Sequence, residues 1–266
     1  LHDCGKVATP PHVVDKGTKL ETIFDRIELI RTRMELLKKD QEIAFLKRKL
    51  NGQSNIHYDE EYLASIKDIE NDMKFLESCN IGGEFMKPEF QERVREIGSK
   101  KINIFNEERS FLSDNEIMNL NIPKGTLLPE EREIINDHIV ITIEMLEQLP
   151  YPKNLKNVPE FAGGHHEKMD GTGYPKGLTK KQMSTQAKIM AIADIYEALT
   201  AADRPYKDGK KLSQAMRIMG FMKNEYHIDE DLFEIFVKSG VYKKYAQDYV
   251  AANQIDKVNE NLILGS

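Results

Sequence analysis

The chain has 266 residues, 40% of them hydrophobic and 31% charged, which is long enough for one large domain or two modest ones. Its formal net charge of −6 argues against a nucleic-acid polymer as partner, because such binders present a basic surface to replace counterions; a local basic pocket stays compatible with it. Two cysteines, Cys4 and Cys79, are too few for a disulfide framework, and no apolar run approaches the roughly 20 residues that span a bilayer, so a reducing, cytoplasmic setting is expected.

Only 10 prolines and 16 glycines are present and alternating runs are few, so an all-α fold is expected. His2-Asp3-Cys4-Gly5-Lys6 opens the chain, and Pro10-Pro11 ends any helix there. From about Leu20 to Leu50, Ile23, Ile27, Ile30, Met34 and Leu37 recur at four-three spacing, a helical stripe. Asn51-Gly52 marks a turn, and Tyr62, Ile66, Ile69, Met73 and Leu76 form a second stripe; together they predict an antiparallel helical hairpin. Gly82-Gly83 and Pro88 break the pattern, and Phe90, Val94 and Ile97 predict a further short helix. After the turn Pro123-Lys124-Gly125, Pro129-Glu130-Glu131 opens a helix that carries His138, with Ile134, Ile135, Ile141 and Met145 placing it on or beside an apolar face. Gln186 to Ala202 and Ser213 to Lys223 predict two more helices, and the C-terminal region is helical.

Four pieces carry chemistry: His2-Asp3, His138, His165-His166 and Asp194. Imidazole and carboxylate ligands suit iron, manganese or zinc, and two adjacent metals can clamp a phosphodiester and activate water for in-line attack. Each piece alone also has a plainer reading. His138 could be a satisfied core histidine. Asp194, in the apolar run Ile189 to Ile195, needs a cation, which a metal or a Lys or Arg would supply. Lys6 lies three residues after Asp3, so on a helix it would share a face with it and could reach a substrate phosphate; otherwise it is a surface lysine. Gly171 and Gly173, in the loop Asp170 to Pro175, permit positive φ and close backbone approach, as in many tight turns. Arg204, Tyr206 and Lys207 combine two cations with an aromatic ring, suited to phosphate and base, or simply end a helix in solvent.

The order of the pieces resembles the HD-GYP family, a branch of the HD-domain metal-dependent phosphohydrolases. The matching text is His2 to Lys6, then the long block His165 to Leu178, then Ala193 to Leu199, then Asp203 to Lys207. The resemblance implies an all-α HD-domain helical bundle with a long inserted helical hairpin, and hydrolysis of cyclic di-GMP to a linear dinucleotide or GMP by a metal-activated hydroxide. It implies two or three divalent transition metal ions, iron or manganese ahead of zinc, held by His2, Asp3, His138, His165, His166 and Asp194. Asp3 would bridge two of them, and Asp3 and Lys6 would be catalytic. Lys6, Arg204 and Lys207 would contact substrate phosphates. Gly173, Tyr174 and Pro175 would form the loop near the substrate that docks partner domains.

Two departures accompany the resemblance. Three-metal members carry a further glutamate and histidine before the His-Asp pair, and here that pair begins at the second residue, so the chain reads as a piece of a longer protein. His2 and His138 are also far more widely spaced than the family's few tens of residues. The expected division is therefore a catalytic core over 1–20 and 126–225, an inserted hairpin and return segment over 21–125, and a C-terminal helical region over 226–266 packing on the core. The insert's stripes could pack internally, form a homodimer seam or dock a signalling partner, internal packing being the commonest use of such spacing. Two alternatives to the cyclic di-GMP enzyme are a non-catalytic cyclic-dinucleotide sensor and a phosphohydrolase acting on another nucleotide.

Overall fold

The computed structural model describes residues 1–52, 56–83, 85–105, 107–201 and 209–265. The chain divides into two compact units, one of Pro11–Arg132 and one that joins Leu1–Pro10 to Glu133–Ser266. No helix among the described residues is long and apolar enough to cross a membrane.

In the Pro11–Arg132 unit, the short helix α1 (Pro11–Val14) is followed by two long helices, α2 (Ile27–Leu50) and α3 (Ile56–Asn80). Their ion pairs run in descending register, Arg31 to Glu77 at 2.7 Å, Lys38 to Glu70 at 3.1 Å and Lys49 to Asp59 at 2.9 Å, so the two helices are antiparallel as expected. The hairpin root supplies Ile27, Ile30, Met34, Ile69 and Leu76 to a core. That core is closed by Val94 and Ile97 of α4 (Pro88–Ser99), by Phe111 and Leu112, and by Leu120 of α5 (Asp114–Leu120).

Two details of this unit depart from the sequence reading, the position of Ile23 and a short ribbon. Ile23 is 97% exposed and lies before α2. Acidic side chains shape the turn there: Glu21 accepts from the Gly17 and Thr18 amides and Asp25 from the Ile27 amide, which delays helix entry. The short helix expected at Phe90, Val94 and Ile97 is α4, with Phe90 half exposed and edge-on to Phe75. A two-stranded antiparallel ribbon, β1 (Lys101–Ile104) and β2 (Glu107–Ser110), was not anticipated. In β2 every residue is exposed, so no period-two burial pattern exists to read. Along α2, Leu29, Leu36, Ile43 and Leu50 are also exposed, at seven-residue spacing and on the side away from the pairs with α3.

The helix α6 (Pro129–Asn136) carries the chain across the Arg132/Glu133 boundary, and in the other unit it is followed by α7 (His138–Glu147), α8 (Val158–Gly163) and α9 (Thr185–Thr200). The first ten residues, with a 3₁₀ turn at Cys4–Ala8, pack on α7; α7 packs on α8, α8 on α9, and α9 on α10 (Leu212–Asn224). The helices α11 (Glu230–Lys238), α12 (Val241–Tyr249) and α13 (Glu260–Leu264) complete it. Their core gathers Ile192, Tyr196, Met216, Met219, Phe233 and Tyr242, and the buried Tyr196 hydroxyl donates to the Tyr242 carbonyl at 2.8 Å.

Candidate metal centre

His138 does not ride inside the helix that starts at Pro129. That helix ends at Asn136, and His138 is the first residue of α7. The His138 ring contributes to the break: its Nδ1 bonds the Ile135 carbonyl, which an uninterrupted helix would offer to the Ile139 amide. The buried face of α7 is His138, Ile139, Thr142 and Leu146, whereas Ile134 and Met145 are more than 40% exposed. His165 and His166 follow directly on α8, and the buried His165 repeats the same device, its Nδ1 donating to the Ala162 carbonyl at 2.6 Å. A carbonyl can only accept, so in both rings Nδ1 carries a proton and Nε2 is the nitrogen turned to the centre, the one a metal would take.

The His2-Asp3 pair is brought to these lone pairs by the turn at Cys4–Ala8. The Gly5 amide donates to Thr142 Oγ1 at 2.8 Å, one helical turn beyond His138. A Cβ at Gly5 would stand 2.0 Å from the His138 carbonyl oxygen and 2.7 Å from the Thr142 amide nitrogen, so this approach requires glycine. Gly5→Ala is therefore expected to destabilise the protein by about 1–3 kcal/mol and to push Asp3 off the histidines. Thermal melts and a metal titration check this; a variant that melts and binds metal like its parent would contradict it.

Asp3 faces both ways. Its Oδ1 lies 3.2 Å from His138 Nε2 and 3.6 Å from His165 Nε2, and its Oδ2 lies 3.5 Å from His2 Nε2 and 2.6 Å from Lys6 Nζ. The α9 residue Asp194 reaches His2 Nε2 with Oδ1 at 3.3 Å. His166 Nε2 lies 3.3 Å from His138 Nε2. Two ligand groups result, Asp3, His138, His165 and His166 in one and His2, Asp3 and Asp194 in the other, with Asp3 common to both. All six residues expected to hold metal thus come together. Lys6 reaches the centre by pairing with Asp3. Arg204 and Lys207, together with Tyr206, lie outside the described residues.

The electrostatics are those of a site built for cations. Asp3 Oδ1 and His165 Nε2 are buried and without a hydrogen-bond partner. With the imidazole neutral both are acceptors, so their juxtaposition is unfavourable unless a cation, a proton or a metal, stands between them. The residues present therefore fit a divalent transition metal. Burial pushes the Asp3 carboxyl up, but the imidazoles of His138, His165 and His2, where a proton on Nε2 faces it, and the Lys6 ammonium outweigh this and hold it far below the usual carboxylate range. Asp194 and then Asp3 raise His2 to about 9, so at neutral pH a metal entering this group displaces a proton. Burial, followed by the charges of His165 and His138, lowers His166 to about 3, which keeps its ring neutral and able to ligate.

The loop after the histidine pair is seated on the pair itself. Gly171 takes φ 82°, while Gly173 is required for a different reason: a Cβ there would lie 2.3 Å from the Lys168 amide nitrogen and 2.5 Å from Glu167 Cα. Tyr174 stacks on His166, ring centroids 4.8 Å apart at 19°, and Pro175 follows through a cis peptide bond. Three contributors were not singled out from the sequence: Gly5, Thr142 and the buried Glu167. Thr142 had a readable signal, since it lies four residues beyond His138 and so on the same helical face.

Comparison with known proteins agrees with this geometry. A family model described as an HD domain matches residues 114–232, taking in His138, His165, His166 and Asp194 but not His2 and Asp3. The chain is 46% identical over 79 residues to a cyclic di-GMP phosphodiesterase of Pseudomonas aeruginosa, covering 29% of this chain and 18% of that protein. It is 40% identical over 82 residues to a 3'3'-cGAMP-specific phosphodiesterase of Vibrio cholerae, covering 31% of this chain and 19% of that one. A cyclic di-GMP phosphodiesterase of Thermotoga maritima is 36% identical over 114 residues, 43% of this chain and 30% of the relative. The chain spans less than a third of the length of each.

Proposed function

We propose that the chain, whose residues 114–232 match an HD domain, belongs to the HD-GYP branch of that family and is a metal-dependent phosphodiesterase that hydrolyses cyclic di-GMP to a linear dinucleotide or GMP. The observation that carries the reading is the pair of ligand groups sharing Asp3, with a buried carboxylate oxygen and a buried imidazole nitrogen left facing each other. His138, His165 and His166 with Asp3 would hold one ion, and His2 and Asp194 with Asp3 a second; iron and manganese suit this mixed imidazole and carboxylate set. Bound divalent ions supply Lewis-acid charge to a phosphoryl oxygen and lower the pKa of bound water.

The chain's own groups prepare the site for an anionic substrate. The carbonyls of Ile135 and Ala162 fix the tautomers of two imidazoles, so the ligand lone pairs need no reorganisation when a metal arrives. The Lys6 ammonium, partly exposed and tied to Asp3 at 2.6 Å, stands at the rim, where it can neutralise charge on a bound phosphate. Gly173, Tyr174 and Pro175 border the site beside His166, where substrate contact is proposed for this loop.

The deciding experiment loads the purified protein anaerobically with iron or manganese and follows cyclic di-GMP, with 3'3'-cGAMP in parallel. Release of the linear dinucleotide or GMP, lost in Asp194→Ala together with one of the two bound ions, is the expected result. Binding of cyclic di-GMP without turnover by the fully metal-loaded protein would replace the enzyme reading with that of a sensor. Faster turnover of 3'3'-cGAMP would change the substrate, a reading favoured by the resemblance to the Vibrio cholerae relative.

A further inference from the structure

Glu167 follows the two ligand histidines directly and is 1% exposed, yet among the described residues it has no lysine or arginine within ion-pair distance. A buried carboxylate without a cation costs several kcal/mol unless hydrogen bonds compensate it. Here the compensation is specific. Glu167 Oε1 accepts from the Lys176 amide at 2.7 Å and Oε2 from the Leu178 amide at 2.8 Å. The side chain thus staples the far end of the 168–178 loop to the base of the histidine pair, using charge-assisted bonds stronger than neutral ones.

The staple bears on His166. His138 and His165 each have Nδ1 held by a carbonyl three residues back, but among the described residues no carbonyl takes Nδ1 of His166. Its ring is instead faced by Tyr174, stacked at 4.8 Å, whose amide donates to the His166 carbonyl at 3.2 Å. Gly173 lies flat on the Glu167 and Lys168 backbone, leaving no side chain to hold the loop off. Glu167 thus ties the loop that carries Tyr174, and Tyr174 covers a ring that otherwise meets His138 through Nε2 at 3.3 Å and His165 at a centroid distance of 4.0 Å.

We propose that Glu167 is a positioning residue for one of the two metal ions: through the 168–178 loop and the Tyr174 ring it orients His166 and so controls occupancy of the Asp3, His138, His165 and His166 group, leaving the His2, Asp3 and Asp194 group unaffected. The inference rests on the two-ion reading above. Loss of the staple should weaken metal binding at the His166 group by roughly 10- to 100-fold, the usual effect of removing a partner that orients a ligand.

The test is metal content and affinity, read by elemental analysis and manganese titration of the whole chain. The parent should hold two ions. Glu167→Ala and Tyr174→Ala should each hold one ion with parental affinity and the other weakly, while Tyr174→Phe, which keeps the ring, should restore both. Combining Tyr174→Ala with Asp194→Ala should weaken both sites. If Glu167→Ala does not fold, as judged by circular dichroism, the Tyr174 series decides alone. Parental affinity at both sites in Tyr174→Ala would overturn the inference, as would an intact second ion in the double variant. A parent that binds a single ion would instead bring down the two-ion reading on which it rests.

Discussion

Asp3→Ala is expected to strip both ions and to slow turnover by roughly a thousandfold or more, about 4 kcal/mol of barrier. No other single ligand should do this, because Asp3 alone belongs to both groups. Its Oδ1 sits among the Nε2 atoms of His138 and His165, and its Oδ2 lies beside His2 and Lys6. Removing the carboxylate leaves bare imidazole lone pairs facing one another with no anion to hold a dication. Asp194→Ala, by contrast, removes a ligand from one group. Elemental analysis of both variants against the parent distinguishes them. An Asp3→Ala protein that still carries an ion at parental affinity would show that Asp3 does not join the two groups.

Glu116→Ala is expected to destabilise the Pro11–Arg132 unit by about 3 kcal/mol, the lower end of the range for removing one partner of a buried ion pair. The Glu116 side chain is 7% exposed, forms a capping box with Ser113 and binds the Arg33 guanidinium. The lower end applies because Arg33 keeps its bond to the Phe111 carbonyl at 2.7 Å and is 19% exposed. The pH dependence has a definite sign. Burial pushes the Glu116 carboxyl up, but Arg33 and the Ser113 amide more than reverse this and hold it below its ordinary value. Its contribution is therefore complete above the unfolded glutamate pKa, about 4.3, and is lost as pH falls through the lower folded value. Urea unfolding of the parent and of Glu116→Gln across the acid range should show a steeper loss in the parent. Equal slopes would mean that the carboxyl is not stabilised in the fold.

Much of the helical fold was legible because its signals are local. Four-three stripes, Asn51-Gly52 and Pro129 are each read within a few residues, and α2, α3 and the start of α6 follow from them. The misses are places where side-chain hydrogen bonds or full exposure overrode periodicity. Acidic side chains at Glu21 and Asp25 kept Ile23 out of its stripe, the His138 ring ended α6 early, and the fully exposed β2 strand had no inward face to mark it.

By itself, the sequence singled out which residues could meet a metal. His2, Asp3, His138, His165, His166 and Asp194 are recognisable by chemistry and by the order in which they occur, because ligand identity is a property of single side chains. Only the tertiary structure decided how they share the work. That Asp3 belongs to both groups, that the carbonyls of Ile135 and Ala162 set two tautomers, and that Gly5 must lack a Cβ are relations between segments far apart in the chain. Such relations arise from packing distances, which no local pattern encodes. The buried Glu167 shows this most directly: in sequence it is one acid among many, and in the fold its two oxygens are held by amides nine and eleven residues away.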